Sequence, residues 1–131
     1  MLMAFGSDEL YIAKKIGVED DDYGNEIPYF DIENIKHYSF SYMPVSGQVD
    51  YQIYGANINN MYSSYLPMEF LGVIRAGDVA YLIDGETQDI KELVEKDEND
   101  KYCQNANYRV KLVQKQNVRV KILFEKIKIN N

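Results

Sequence analysis

The sequence predicts a mainly all-β fold: a small β-barrel or sandwich with an inserted loop or short helix. Two observations predict it. Apolar and polar residues alternate in several short runs, the signature of half-buried strands. Turn residues separate those runs, in "DDDYGN", "PVSG" and "DG", as they do in sandwiches and barrels.

Residues 9–16, "ELYIAKKI", read as a strand, with a short helix as the alternative. "DDDYGN" at 20–25 is a turn, because Gly24 accepts a positive φ and Asp and Asn side chains bond to nearby backbone. "IPYFDI" at 27–32 reads as an edge strand, since Pro28 has no N–H to give a ladder. Tyr38, Phe40 and Tyr42 alternate with His37, Ser39 and Ser41, which predicts a strand with an aromatic face. "QVDYQIY" at 48–54 alternates through Val49, Tyr51 and Ile53, and forms a hairpin with the aromatic strand across "PVSG".

The pattern then breaks. Ile58, Met61, Tyr62 and Tyr65 fall at i, i+3, i+4 and i+7, one face of a short helix with Asn57 as N-cap and Pro67 as stop. The surrounding Asn, Ser and Gly fit an adaptable loop equally well. Strand character returns in "MEFLGVI" and "GDVAYLIDG". "ETQDIKELVEK" gives a helical turn through Ile90, Leu93 and Val94, and "DENDKYCQN" a polar loop. The chain closes with a hairpin. Tyr108, Val110 and Leu112 alternate with Arg109 and Lys111; Val118, Val120, Ile122 and Phe124 alternate with Arg119 and Lys121. The parity slips near Glu125, which predicts a β-bulge there.

At 131 residues the chain fits one domain, and 46% hydrophobic content is enough for a core. The twelve Tyr and absent Trp favour half-wet surfaces, where a ring packs while its hydroxyl stays hydrated. No apolar run reaches the roughly 18 residues of a membrane-spanning helix. The start, "MLMAFGSDEL", lacks the basic and apolar regions of a secretory signal. A single cysteine, Cys103, excludes an internal disulfide and fits a reducing compartment.

Charge is split along the chain. Residues 101–131 hold eight basic residues against Glu125 alone, while residues 1–100 hold six basic and twenty acidic ones. The net charge of −7 argues against general nucleic-acid binding and permits a local basic patch. A split of this kind concerns contacts rather than fold. The basic face of the terminal hairpin is either a solvated outer face or a contact surface.

Little in the sequence offers chemistry. His37 is the sole histidine and sits in the aromatic strand, where packing is the plain account. Cys103 lies in the polar loop and reads as a surface thiol. One His and one Cys make no zinc set. "EDDDYGNE" fails as a calcium loop: with Gly24 at position 6, Tyr23 and Phe30 stand where acids are needed. The expectation is a protein without catalytic residues, cofactor or metal, whose chemistry is contact.

Read in order, several pieces resemble the small head-closure, or stopper-type, head–tail connector proteins of the necks of tailed bacteriophages infecting Gram-positive hosts. They are "DDYGNE", "MPVSGQVDYQIYG", "AGDVAYLID", "ANYRVKLV" and "NVRVKILFEKIKI". Together they span nearly the whole chain. The resemblance implies a single β-barrel domain over 1–131 that forms a homo-oligomeric ring in the virion neck, after a stay in the host cytoplasm during assembly. Its implied partners are the portal/adaptor ring, a tail-completion or tail-terminator protein, and double-stranded DNA held without sequence specificity; no membrane is involved. A tail-completion or tail-terminator protein is the alternative, and a nucleic-acid-binding β-barrel the alternative from another class.

Carried onto this chain, the resemblance implies a channel-facing loop after Tyr54, reaching about Leu66 and including Gly55, Asn57, Asn59, Asn60, Met61, Tyr62 and Tyr65. It implies a strand start at Gly77–Asp78. The segment Glu86 to Asn105 is longer and more charged than the pattern needs, and gives an added contact surface. Arg109, Lys111, Arg119 and Lys121 are expected to share one face of the terminal hairpin and to serve assembly rather than folding. In a ring, a basic hairpin on one copy would meet an acidic surface on the next.

Overall fold

Val120, Ile122 and Phe124 are fully buried, and so are Leu10, Ala80 and Leu82. Alternate residues of a strand point to one side, so burying these six fixes which faces of three strands turn inward. The structure is a computed structural model and describes residues 8–45 and 60–127. It contains strands β1 (Glu9–Ala13), β2 (Lys15–Asp20), β3 (Glu26–Phe30), β4 (Lys36–Ser39), β5 (Met43–Pro44), β6 (Met61–Pro67), β7 (Val79–Leu82), β8 (Tyr108–Lys115) and β9 (Arg119–Lys126), and one helix, α1 (Ile90–Lys96).

Seven strands make one antiparallel sheet in the order β4-β1-β7-β8-β9-β6-β5, and β2 and β3 pair as a separate ribbon. The result is mostly β: a large curled sheet, shaped as half a barrel, with one helix. The two edge strands, β4 and β5, are consecutive along the chain and only Phe40, Ser41 and Tyr42 lie between them. Phe40 and Tyr42 are buried in the main core with Leu10, Ile12, Leu66, Ile122 and Phe124. The Tyr42 hydroxyl accepts from Ile83 N at 2.8 Å, and its ring meets the Tyr62 ring edge-on at 5.5 Å. One side chain thus ties the edge of the sheet to β6 and to the end of β7.

The opposite face carries a second core. Ala13, Phe30, Val79, Tyr81, Ile90 and Cys103 are buried there beneath α1 and the loop that follows it. β7 is therefore buried on both faces, which is why "VAYL" has no polar alternation. Asp89 caps α1 by accepting from Glu92 N at 3.1 Å. Where β7 parts from β8, the Asn107 side chain replaces the ladder: its amide donates to Leu82 O at 2.8 Å and its oxygen accepts from Leu82 N at 2.9 Å.

Several expectations agree with this fold. The turn at 20–25 is built as anticipated, with Gly24 at φ 82° and Asp21 accepting from the backbone N–H of Tyr23 and Asn25, each at 2.8 Å. The helical turn at 86–96, the strand in "GDVAYLIDG" and the terminal hairpin are present. Gly77 has φ 100°, and Asp78 locks the entry to β7 by accepting from Lys15 N at 2.9 Å and Arg75 N at 3.0 Å.

Other expectations need correction. "ELYIAKKI" is two strands, broken at Lys14, whose carbonyl accepts from Asp31 N at 2.9 Å. The loop or short helix expected over 55–66 does not extend to its end. Met61, Tyr62 and Tyr65 belong to β6, paired along its length with β9 from Met61↔Glu125 to Pro67↔Arg119. Pairing with a long neighbouring strand outweighs the helical spacing. Gly55, Asn57 and Asn59, and the hairpin partner at 48–54, lie outside the described residues. The aromatic run at 36–42 pairs with β1 through its first half. "MEFLGVI" is not a strand: Pro67 ends β6, Met68–Phe70 form a 3-10 turn, and Gly72 takes φ 86°. The bulge sits on β8, where Lys111 is the extra residue between Val110↔Phe124 and Leu112↔Leu123, and β9 runs unbroken.

Candidate assembly interface

The bulge at Lys111 decides what the outer face of the terminal hairpin carries. Before it, Tyr108 and Val110 point to the main core; after it, Val113 does, and Leu112 turns outward. Leu112 was expected among the apolar set and instead stands 36% exposed beside the cations. In the observed register Arg109 lies opposite Glu125, and Lys121 and Arg119 lie opposite Tyr65 and Pro67. The four expected cations therefore do share one face, with Tyr65 and Leu112 among them.

They divide into two groups. Arg109 and Lys111 converge on Glu125. Arg109 Nη2 and Nε donate to Glu125 Oε1 at 2.6 and 3.1 Å, and Lys111 Nζ donates to Oε2 at 3.1 Å. The Glu125 side chain is 11% exposed, whereas that of Arg109 is 58% exposed. The Arg109 hydrogen bond is the main reason that the Glu125 carboxyl is held below the usual carboxylate range; Lys111 adds to it against the opposing effect of burial. An acid so placed among apolar neighbours needs those partners, so Arg109 and Lys111 belong to the fold as well as to the surface. The expectation that they serve assembly rather than folding is revised to that extent.

Arg119 and Lys121 form the other group. The Arg119 guanidinium lies 4.0 Å from the Tyr65 ring centre, and Lys121 Nζ 5.9 Å from it. Arg119 also donates to Gln116 Oε1 at 2.9 Å across the hairpin loop. These contacts hold two cations over an aromatic ring at the surface, with Val118 81% exposed beside them at the loop. The surface so built is positive, partly apolar and pre-ordered.

The acidic counterpart is the β2–β3 ribbon. Phe30 anchors it in the second core, and Phe30 N donates to Lys101 O at 2.7 Å. Glu19 bonds with Lys101 and accepts from the Tyr102 hydroxyl at 2.8 Å; the Lys101 hydrogen bond is the largest cause of its lowered pKa. The segment Glu86–Asn105 thus supplies the ribbon's footing, and within it Glu86 meets Lys126.

Sequence reasoning misplaced Cys103. It is 3% exposed at φ 49°, and burial pushes its thiol up to about 11, the opposite of a nucleophile's requirement. Beside it Asp97, fully buried, accepts from the Tyr81 hydroxyl at 2.7 Å and from Asn105 Nδ2 at 2.7 Å. That network sets the shape of the loop. His37 lies on β4 with its ring 4.9 Å from that of Tyr11 and Nε2 3.6 Å from Glu9. Among the described residues no group of three or more His, Cys, Asp or Glu side chains is placed to hold a metal ion. Sequence reasoning also missed Glu125 as the organiser of the basic face. Its signal was present, since it is the single acid among eight cations.

Comparison with known family models, with curated proteins and with solved structures finds no match to this chain.

Proposed function

We propose that this chain is a structural virion protein of a tailed-phage neck, a head-closure component forming a ring between the portal/adaptor assembly and the tail. The observation that carries the reading is the sheet itself. Its two edge strands are joined by three residues, Phe40–Tyr42, which supports reading the half-barrel sheet as the small barrel that the sequence resemblance implies. Two oppositely charged surfaces on separate elements add to it, since a ring of identical chains needs two different patches on each copy.

In this reading the ring helps to retain packaged DNA and docks the tail. The DNA-facing segment is confined to residues before β6: Gly55, Asn57, Asn59 and Asn60. Met61, Tyr62 and Tyr65 leave it, because they form part of the sheet. Uncharged side chains suit such a segment, since Lys or Arg would grip phosphates through counterion release. Deleting the gene in the phage that carries it tests the reading. Filled heads that lose DNA and lack tails are expected; tailed, infectious particles would overturn it.

A second reading has one observation behind it. Cations over the Tyr65 ring are also what a single-stranded nucleic acid stacks and pairs against. A gel shift with single-stranded DNA that weakens as salt rises would favour it.

A further inference from the structure

We infer that the tip of the β2–β3 ribbon of one copy docks onto the Tyr65–Arg119 face of the terminal hairpin of a second copy, head to tail. The inference rests on the ring reading and names the two surfaces that meet.

The ribbon is built to be covered. Ile16 is 59% exposed, Val18 44%, Ile27 37% and Tyr23, at its turn, 89%. Among the described residues these are four of the ten large apolar side chains that stand exposed, gathered on one sixteen-residue ribbon. Its far end holds five carboxylates, Glu19, Asp20, Asp21, Asp22 and Glu26, with no cation among residues 16–29. Asp21 is spent on the turn and Glu19 on Lys101 and Tyr102. Asp20, Asp22 and Glu26 are left exposed, interleaved with Val18, Tyr23 and Ile27.

The hairpin face is complementary in both respects. It offers Arg119 and Lys121, with Arg109 and Lys111 outnumbering Glu125 behind them, and it offers apolar surface in Tyr65, Leu112 and Val118. Opposed charge guides encounter and register, and the apolar side chains supply the area that leaves water.

Within one copy the ribbon stands beside Arg109, and the Arg119 end of the basic face lies further along β9. Lys15 at the ribbon's base, Pro28 opposite Val18 within it, and Tyr102 line a groove with Arg109, whose partner is Glu125. Arg119 is six residues along β9 from Glu125, about 20 Å away at strand spacing. A contact between different patches repeats from copy to copy and closes as a ring when the rotation allows.

The test uses the purified full chain. One variant carries Asp20→Lys, Asp22→Lys and Glu26→Lys; Asp21 is kept because it makes the turn. The other carries Arg119→Glu and Lys121→Glu. Circular dichroism confirms that both fold, and sedimentation velocity at low and high salt reads association. The wild-type chain is expected to associate at low salt and to dissociate as salt rises. Each variant alone should associate at least about tenfold more weakly at low salt. An equimolar mixture should recover association, because each reversed surface then meets its new complement and the two variants alternate.

Three results would overturn the inference: a variant that associates as the wild type does, a mixture that stays monomeric, or a wild-type chain still monomeric at about 1 mM, beyond which a contact is negligible. A wild-type chain that stays monomeric but shifts a duplex oligonucleotide would likewise overturn it and assign the basic face to DNA. These results stand apart from the neck reading, which is decided in particles. A chain missing from virions could still self-associate, and a chain present in the neck could use other surfaces.

Discussion

Arg109 Nη2 lies 2.6 Å from Glu125 Oε1, and the exposed cation is thereby tied to an almost fully buried acid. The pair joins β8 to β9 directly across their register. It also explains why a single acid sits in a basic tail: Glu125 holds two cations at the right height on the sheet while cancelling part of their repulsion. Replacing Arg109 and Lys111 together by Gln removes both partners and strands a buried carboxylate. The expected loss is about 1–3 kcal/mol, measured by urea unfolding. Arg119→Gln, by contrast, should cost about 0–1 kcal/mol, as exposed cation contacts do. Equal losses in the two variants would contradict this division.

Acid should find the same place. Glu125 is held below its unfolded value chiefly by Arg109. Asp84 is also lowered: burial acts against it, but the Tyr108 hydroxyl at 2.6 Å and the Glu86 and Thr87 amides outweigh burial. A carboxyl with a lowered folded pKa stabilises fully above its unfolded pKa and loses that contribution as pH falls through the folded one. Stability should therefore be flat near neutrality and fall from about pH 5 downward. Glu125→Gln should be less stable at neutral pH and show a shallower acid slope. An unchanged slope would place the acid sensitivity elsewhere.

Gly77 should resist substitution more than Gly24. Both have positive φ, 100° and 82°. An added Cβ at Gly77 would meet Lys15 Cδ at 3.3 Å, whereas at Gly24 it would meet nothing within 4 Å. Gly77→Ala should cost about 1–3 kcal/mol, and Gly24→Ala about 1 kcal/mol, by thermal or urea unfolding. The reverse order would remove Gly77 from the entry to β7.

The Cys103 thiol should stay silent in the folded chain. It is buried, with its pKa raised to about 11. Labelling by a thiol-specific disulfide reagent near pH 8 should therefore follow unfolding, and should quicken in Tyr81→Phe, which takes a hydrogen bond from buried Asp97. Rapid stoichiometric labelling of the folded wild type would refute the burial.

Local chemistry was the legible part of the fold. The Asp21–Gly24 turn and the Gly77–Asp78 entry need residue types that announce themselves, a flexible glycine and a short carboxylate. Alternation made the inward set Val120, Ile122 and Phe124 readable, and in the aromatic run it found the strand Lys36–Ser39 but carried it too far, since Phe40–Tyr42 connect β4 to β5. What pairing decides was not readable. Tyr62 and Tyr65 carry helical spacing with Met61, yet β9 alongside makes the segment a strand. The parity slip was visible near Glu125, but the extra residue is Lys111 on the partner strand. A bulge shifts two chains relative to each other, and one chain's pattern does not say which holds the surplus. For the same reason the shared face of the four cations was legible, while their division between Glu125 and Tyr65 was not.

The central claim is that this chain builds a ring in a phage neck, and a reconstruction of that neck in infectious particles by electron cryomicroscopy tests it most directly. The account predicts a ring between portal/adaptor assembly and tail whose repeating density fits the curled seven-stranded sheet, with the ribbon of each copy against the terminal hairpin of the next. A neck whose density is fully accounted for by other chains would contradict it.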